Sequence, residues 1–181
     1  MDYVAIACRL LIGVVFAASA ATKLVGPSAF TAFVTSVRQM RVVPGTFARP
    51  VAYVVVAAEA LIVVLVAVPY AGSAVAGFAI AAVLLAAFAV GIVISVRRGE
   101  RTPCRCFGKS TTPLGPVHVV RNIFLICVTI AGAAGTLGSA GVDLAGAAVA
   151  AVAGAVAGAL VVALDDIVDL FRPATSRQSA R

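Results

Sequence analysis

Five long apolar runs constrain this chain more than any other feature. They cover about residues 4–25, 51–68, 74–96, 117–134 and 142–164. Each is close to the roughly 20 residues that an α-helix needs to cross the hydrocarbon core of a bilayer. Only 12% of the 181 residues are charged, about half the fraction in soluble domains. The sequence therefore predicts an all-α integral membrane bundle of four to five transmembrane helices.

The runs leave no room for a separate soluble domain. We predict one transmembrane domain over residues 1–172 and a polar tail over residues 173–181. Apolar residues at helical spacing, with arginines alongside, predict a short interfacial helix at about residues 29–40. The polar loop 99–116, between the third and fourth runs, is the segment in which chemistry is expected.

Positive charge is concentrated on one predicted face of the membrane. With five spans, every Lys and Arg except Arg9 lies at or near that face. The positive-inside rule places this face in the cytoplasm of a multi-pass cell-membrane protein. Anionic lipid headgroups, rather than nucleic acid, are the expected partner, because the basic residues lie between apolar runs and not on a hydrophilic domain.

The polar loop contains two cysteines one residue apart, Cys104 and Cys106, with Arg105 between them and Lys109 close by. Neighbouring positive charge favours the thiolate, which is the reactive form of cysteine. We interpret the cysteines as a dithiol/disulfide pair that exchanges electrons with a partner protein. The alternatives are an inert pair, or a metal site completed by His118. We expect no metal, because a closed site needs about four ligands.

Ionisable residues fall well inside the first two apolar runs: Arg9 and Lys23 in the first, and Glu59 in the second. Charged groups at membrane depth are costly and usually face the bundle interior with a partner. We expect Arg9 and Glu59 to pair, either as a structural ion pair or as a proton or quinone site. No other cofactor is expected.

Arg121 and Asn122 stand at the head of the fourth run, close to the polar loop. They are interpreted as an interfacial anchor, with stabilisation of a thiolate at Cys104 or Cys106 as the alternative role of Arg121.

Two further cysteines, Cys8 and Cys127, fall inside runs and are expected to be packing residues. A relay that passes a disulfide across the bilayer is the alternative. In the fifth run, Gly154 and Gly158 have the spacing that lets helix backbones approach closely in lipid. This spacing fits packing within the bundle, and it also suits a homodimer through the same face.

Several of these residues form a familiar pattern: Arg9-x-x-x-Gly13-x-x-Phe16-x-x-Ser19-x-x-x-Lys23-Leu24, then Glu59, Cys104-x-Cys106-Phe107-Gly108 and Arg121-Asn122. The chain resembles the methylamine-utilisation MauE family, within the DoxX-like group of small four-helix membrane proteins. The resemblance covers about residues 4–135. It implies a DoxX-like four-helix core, to which the fifth run adds a helix.

The resemblance also implies a function beside thioredoxin-like partners, in making or maintaining disulfides. The family is named for maturation of the small subunit of methylamine dehydrogenase. Cys104 and Cys106 would be the redox pair of a thiol-disulfide oxidoreductase. An exported substrate places this pair outside the cytoplasm, whereas the charges place it inside. The alternatives are a non-enzymatic scaffold for a redox or metal enzyme, and a quinone or small-molecule site at Arg9 and Glu59.

Overall fold

The computed structural model describes residues 2–98, 116–138, 141 and 143–170. Within this part of the chain the regular structure is helical: α1 (Asp2–Leu24), α2 (Pro27–Gln39), a 3₁₀ turn (Gly45–Phe47), α3 (Ala48–Ala67), α4 (Ala71–Arg97), α5 (Pro116–Leu137) and α6 (Leu144–Leu170). All of these helices except α2 are long and apolar enough to cross a membrane. The predicted helical membrane bundle is confirmed, with five candidate spans.

Prolines mark the starts of three helices. Pro27 and Pro116 are the first residues of α2 and α5. Pro50 lies in the first turn of α3, which begins at Ala48. A proline is tolerated there because the backbone N–H groups of the first turn have no partner within the helix.

The helix α1 is the centre of the bundle. It packs against α3, α5 and α6, while α4 packs against α3 and α5. Large apolar side chains from four helices meet in one core, including Ile12, Ile62, Phe78 and Leu125. In lipid, this interdigitation and the close approach of helices hold the bundle together, because the hydrocarbon around it offers no hydrophobic driving force.

Small residues let α6 lie directly on α1. A methyl group added at Gly154 would stand 2.1 Å from the carbonyl oxygen of Ala7, and one at Gly158 would stand 3.0 Å from that of Leu11. The two glycines therefore serve packing within the bundle, as the first interpretation of their spacing predicted. Because α1 covers this face, a second copy of the chain cannot use it without displacing α1.

A short helix, α2, is present where the interfacial helix was predicted. Phe33 and Val34 are buried against Val55 and Val56 of α3, whereas Arg38 is exposed. Gly26 provides the turn from α1 into α2 with a φ of 149°, a value that side-chain-bearing residues rarely adopt. The amphipathic helix is thus anchored on the bundle by its apolar side.

We call the end of the bundle where α1 finishes and α5 begins the loop end, because residues 99–115 join α4 to α5 there. At this end, Nη1 of Arg98 donates a hydrogen bond to the carbonyl oxygen of Arg41 at 2.8 Å. This contact ties the last turn of α4 to the segment after α2. Exposed arginines are numerous at the loop end: Arg38, Arg41, Arg49, Arg97 and Arg98.

The opposite end of the bundle is closed by Asp143, the residue before α6. Its Oδ1 accepts a hydrogen bond from the backbone N–H of Gly146 at 2.8 Å, the contact expected of a helix N-cap. Its Oδ2 accepts one from the Tyr3 hydroxyl of α1. The Tyr3 hydrogen bond, followed by that from Gly146, lowers the pKa of the Asp143 carboxyl below its ordinary value.

Candidate functional site

A buried ion pair joins α1 to α3. The ammonium of Lys23 lies 2.8 Å from Oε1 and 3.0 Å from Oε2 of Glu59. Lys23 is 2% exposed and Glu59 1%. Charges this well shielded are retained only where each has a close partner. The pair is therefore a specific contact of the folded bundle and not a surface salt bridge.

Ser19 and Phe33 complete the surroundings of the pair. The Ser19 hydroxyl donates to Oε1 of Glu59 at 2.9 Å, and Lys23 donates to the Ser19 hydroxyl and carbonyl oxygens at 2.7 and 3.1 Å. The ring of Phe33, from α2, has its centroid 4.9 Å from the ammonium, within cation–π range. Three helices thus meet at one buried charge cluster.

The expected pair between Arg9 and Glu59 is wrong. Nε of Arg9 donates to the carbonyl oxygen of Val66 at 2.9 Å, and Nη2 donates to that of Val68. Carbonyls at the end of a helix lack partners within the helix and carry the negative end of its dipole, so a guanidinium satisfies them well. Val66 is seven residues beyond Glu59 on α3, which is about 10 Å along the axis. Arg9 and Glu59 thus have separate partners, and a quinone or small-molecule site at these residues stays a prediction.

The sequence predicted that Lys23 is a charged residue within the membrane, but it did not predict that Lys23 pairs with Glu59. The available signal was Ser19, which stands one helical turn before Lys23. Residues four apart share a helix face, so a hydroxyl and an ammonium there mark one polar spot on α1.

Several other polar side chains are buried at the loop end of the bundle. His118, Arg121 and Asn122, from the first two turns of α5, are each buried. Ser95, in the last turn of α4, is buried as well and was not singled out from the sequence. Arg121 and Asn122 are thus enclosed by neighbouring side chains. Their role as an interfacial anchor stays a prediction.

The four loop residues Cys104, Arg105, Cys106 and Lys109 lie outside the described residues. Their proposed roles stay predictions. Among the described residues no three His, Cys, Asp or Glu side chains come together to hold a metal ion.

The two cysteines in the helices have different surroundings. Cys8 is buried in the main core, whereas Cys127 is exposed on the outer surface of α5. Both are free thiols. The structure does not bring them together, and the packing interpretation describes Cys8 well.

Two open grooves run between helices, and each contains one arginine. One, of about 520 Å³, lies between α1 and α3, with Arg9 beside Gly13 and Pro69. The other, of about 500 Å³, lies between α5 and α6 and contains Arg121. Arg9 is near the opposite end of the bundle and Arg121 is at the loop end. Only the second groove is therefore at the same end as the polar loop.

The family described as "Methylamine utilisation protein MauE" has a model that matches residues 1–135 of this chain. The match includes α1 to α4, the polar loop and nearly all of α5, and it ends before α6. No curated protein and no solved structure matches the chain.

Proposed function

Since this chain belongs to the MauE family, we propose that it is a membrane thiol-disulfide redox protein. Cys104 and Cys106 would exchange a disulfide with a thioredoxin-like partner. The observation that carries the proposal is the family match, which spans the Cys-x-Cys loop together with the buried polar residues of α5. The confirmed multi-pass bundle supplies the membrane anchor that such a loop needs.

The chemistry is thiol-disulfide exchange. One loop thiolate attacks a sulfur of the partner's disulfide, a mixed disulfide forms, and the partner's other sulfur leaves as thiolate. The second loop cysteine then attacks the mixed disulfide and releases the reduced partner. Two electrons move from the loop to the partner, and the reverse sequence moves them back. Arg105 and Lys109 favour the thiolate by their charge.

The direction of electron flow depends on the face of the membrane. The exposed arginines of the loop end favour a cytoplasmic loop by the positive-inside rule, and they suit contact with anionic headgroups. Cytoplasmic disulfides are kept reduced, so a loop on that side would take electrons from partner thiols. A loop on the outer side would pass oxidising equivalents to exported proteins.

The first experiment is thiol labelling in intact cells with a membrane-impermeant reagent, in a variant with Cys8→Ser and Cys127→Ser. Labelling of Cys104 and Cys106 only after mild reduction supports a redox pair on the outer face. Labelling that needs both lysis and reduction supports one on the cytoplasmic face. Labelling that needs lysis but not reduction shows that the pair rests as thiols on the cytoplasmic face, and it favours the scaffold or metal alternative over a resting disulfide.

Function is tested by Cys104→Ser and Cys106→Ser, each of which should abolish disulfide exchange while the protein remains in the membrane. A variant that lacks both thiols and still supports full activity would refute the proposal. The Cys8→Ser, Cys127→Ser variant is the matched control, because it removes the same number of thiols from the helices and should remain active.

A further inference from the structure

The open groove between α1 and α3 has one charged side chain, Arg9, among the residues that line it. The other lining residues are apolar, from Ile6 to Ala17 on α1 and from Val63 to Ala67 on α3. Its volume of about 520 Å³ is typical of small-molecule sites. The groove therefore suits a long apolar chain that ends in an anionic group.

The length of the groove matches one leaflet of the bilayer. Ile6 and Ala17 are separated by about 16 Å along the axis of α1, and the hydrocarbon core of a bilayer is about 30 Å thick. The groove extends from near the end of the bundle at which α1 begins to just past the middle of that helix. An acyl chain of one leaflet covers the same depth.

The Arg9 guanidinium lies at the membrane-surface end of the groove. It donates hydrogen bonds to the carbonyl oxygens of Val66 and Val68, and Val68 belongs to the short connection between α3 and α4. Tyr3 and Tyr70, which are 40% and 69% exposed, lie at the same end, as is common for aromatic residues at a membrane–water interface. A lipid headgroup at this level can therefore reach Arg9 without leaving the interface.

Arg9 keeps hydrogen-bond donors for a ligand. A guanidinium has five N–H groups, and the two hydrogen bonds to backbone carbonyls use one at Nε and one at Nη2. The side chain is only partly buried. Two parallel N–H groups of a guanidinium match two oxygens of a phosphate. Among the described residues, Arg9 is also the one Lys or Arg near this end of the bundle, so it is the natural partner of an anion there.

We infer that this groove binds a phospholipid, with one acyl chain between α1 and α3 and the phosphate accepting hydrogen bonds from Arg9. The acyl chain accounts for the apolar walls, which a free phosphate would leave unfilled. A lipid held there joins the two helices along their outer faces. The site lies at the end of the bundle opposite to the polar loop, so the inference does not depend on the proposed redox function.

The test uses the full-length protein in detergent and native mass spectrometry, with dioleoyl-phosphatidylglycerol as the probe. The unmodified protein should retain one lipid more tightly than any further lipid. Arg9→Gln should weaken this first binding step by about tenfold, because the phosphate loses a hydrogen bond to a charged group. Arg9→Lys should restore part of the affinity, because it returns the charge without the fork of donors.

Ala17→Phe and Ala86→Phe are a matched pair of variants. Both alanines are exposed, and α1 and α4 begin at the same end of the bundle, with Ala17 as far from the first residue of α1 as Ala86 is from that of α4. Of the two, Ala17 lines the groove. Ala17→Phe places a ring where the acyl chain lies and should lower the affinity severalfold, whereas Ala86→Phe should bind lipid like the unmodified protein. Ala17→Phe leaves Arg9 in place, so the test remains decisive if the Arg9 variants do not fold.

A phospholipid with a photoactivatable group on its acyl chain locates the site. Cross-links on α1 and α3 near Ala17 and Val63 support the inference, whereas cross-links confined to the arginine-rich loop end overturn it. Equal affinities of the Ala17→Phe and Ala86→Phe variants, or of Arg9→Gln and the unmodified protein, would also overturn it. So would displacement of the lipid by an equal concentration of glycerol 3-phosphate, because the anion alone would then account for binding.

Discussion

Replacing Glu59 by glutamine would leave the Lys23 ammonium beside a neutral amide inside the bundle. Glutamine keeps the shape of the side chain and one accepting oxygen, so the change removes mainly the negative charge. Breaking a buried pair by removing one partner typically costs about 3–5 kcal/mol. We expect the lower part of this range, because the Ser19 hydroxyl and carbonyl oxygens still accept hydrogen bonds from Lys23.

A loss of about 3 kcal/mol corresponds to a fall in unfolding temperature of roughly 6–12 °C for a chain of this size. Thermal unfolding in detergent, followed by the fraction of protein that remains monodisperse, measures it. The Lys23→Met variant should be destabilised similarly, because the Glu59 carboxylate is then left without its cation. Combining Lys23→Met with Glu59→Gln should cost no more than either change alone, which is a coupling of about 3 kcal/mol.

Ser95→Ala is the matched control. Its hydroxyl is buried and has no hydrogen-bond partner in the described chain, so its removal should leave the unfolding temperature nearly unchanged. Simple addition of the effects of Lys23→Met and Glu59→Gln would show that the two side chains act independently, against the structural interpretation. A Glu59→Gln variant of full stability but without activity would instead identify a proton or ligand site.

Three further predictions follow from contacts at other levels of the bundle. Gly154→Ala should separate α6 from α1 and lower the unfolding temperature, because the new methyl group would collide with the Ala7 carbonyl oxygen at a cost of about 1–3 kcal/mol. The control Gly13→Ala should be tolerated, because the nearest atom to its new methyl group is 3.5 Å away. Equal stability of the two variants would contradict this packing. The pKa of Asp143 is lowered, so the stability that its carboxylate contributes is present above the pKa of the unfolded state and is lost as the pH falls through the pKa of the folded state. Asp143→Asn should remove this dependence of stability on acid pH. An unchanged profile of stability against pH would refute the assignment. Arg9→Gln should lower stability by about 1–2 kcal/mol through its lost hydrogen bonds and leave disulfide exchange at the loop unaffected; a selective loss of exchange would restore a functional role for Arg9.

The architecture was largely determined by the sequence itself. Five apolar runs of membrane length predict four to five transmembrane helices, because a chain in hydrocarbon must satisfy its backbone hydrogen bonds within each segment. A different signal predicted α2, namely the helical spacing of the apolar residues around Phe33. Gly154 and Gly158 pointed to close helix packing, although only the structure identified α1 as the helix that they contact.

The pairing of the charged residues was decided by the tertiary structure. The sequence shows that Arg9, Lys23 and Glu59 are costly at membrane depth and need partners, but the choice among partners depends on the relative depth and rotation of α1 and α3. Packing brings Lys23 to Glu59 and leaves Arg9 at the end of α3, where backbone carbonyls satisfy it. The inward rotation of α5 likewise buries Arg121, because helix–helix contacts, and not the local order of residues, decide which face of a helix is turned to the lipid.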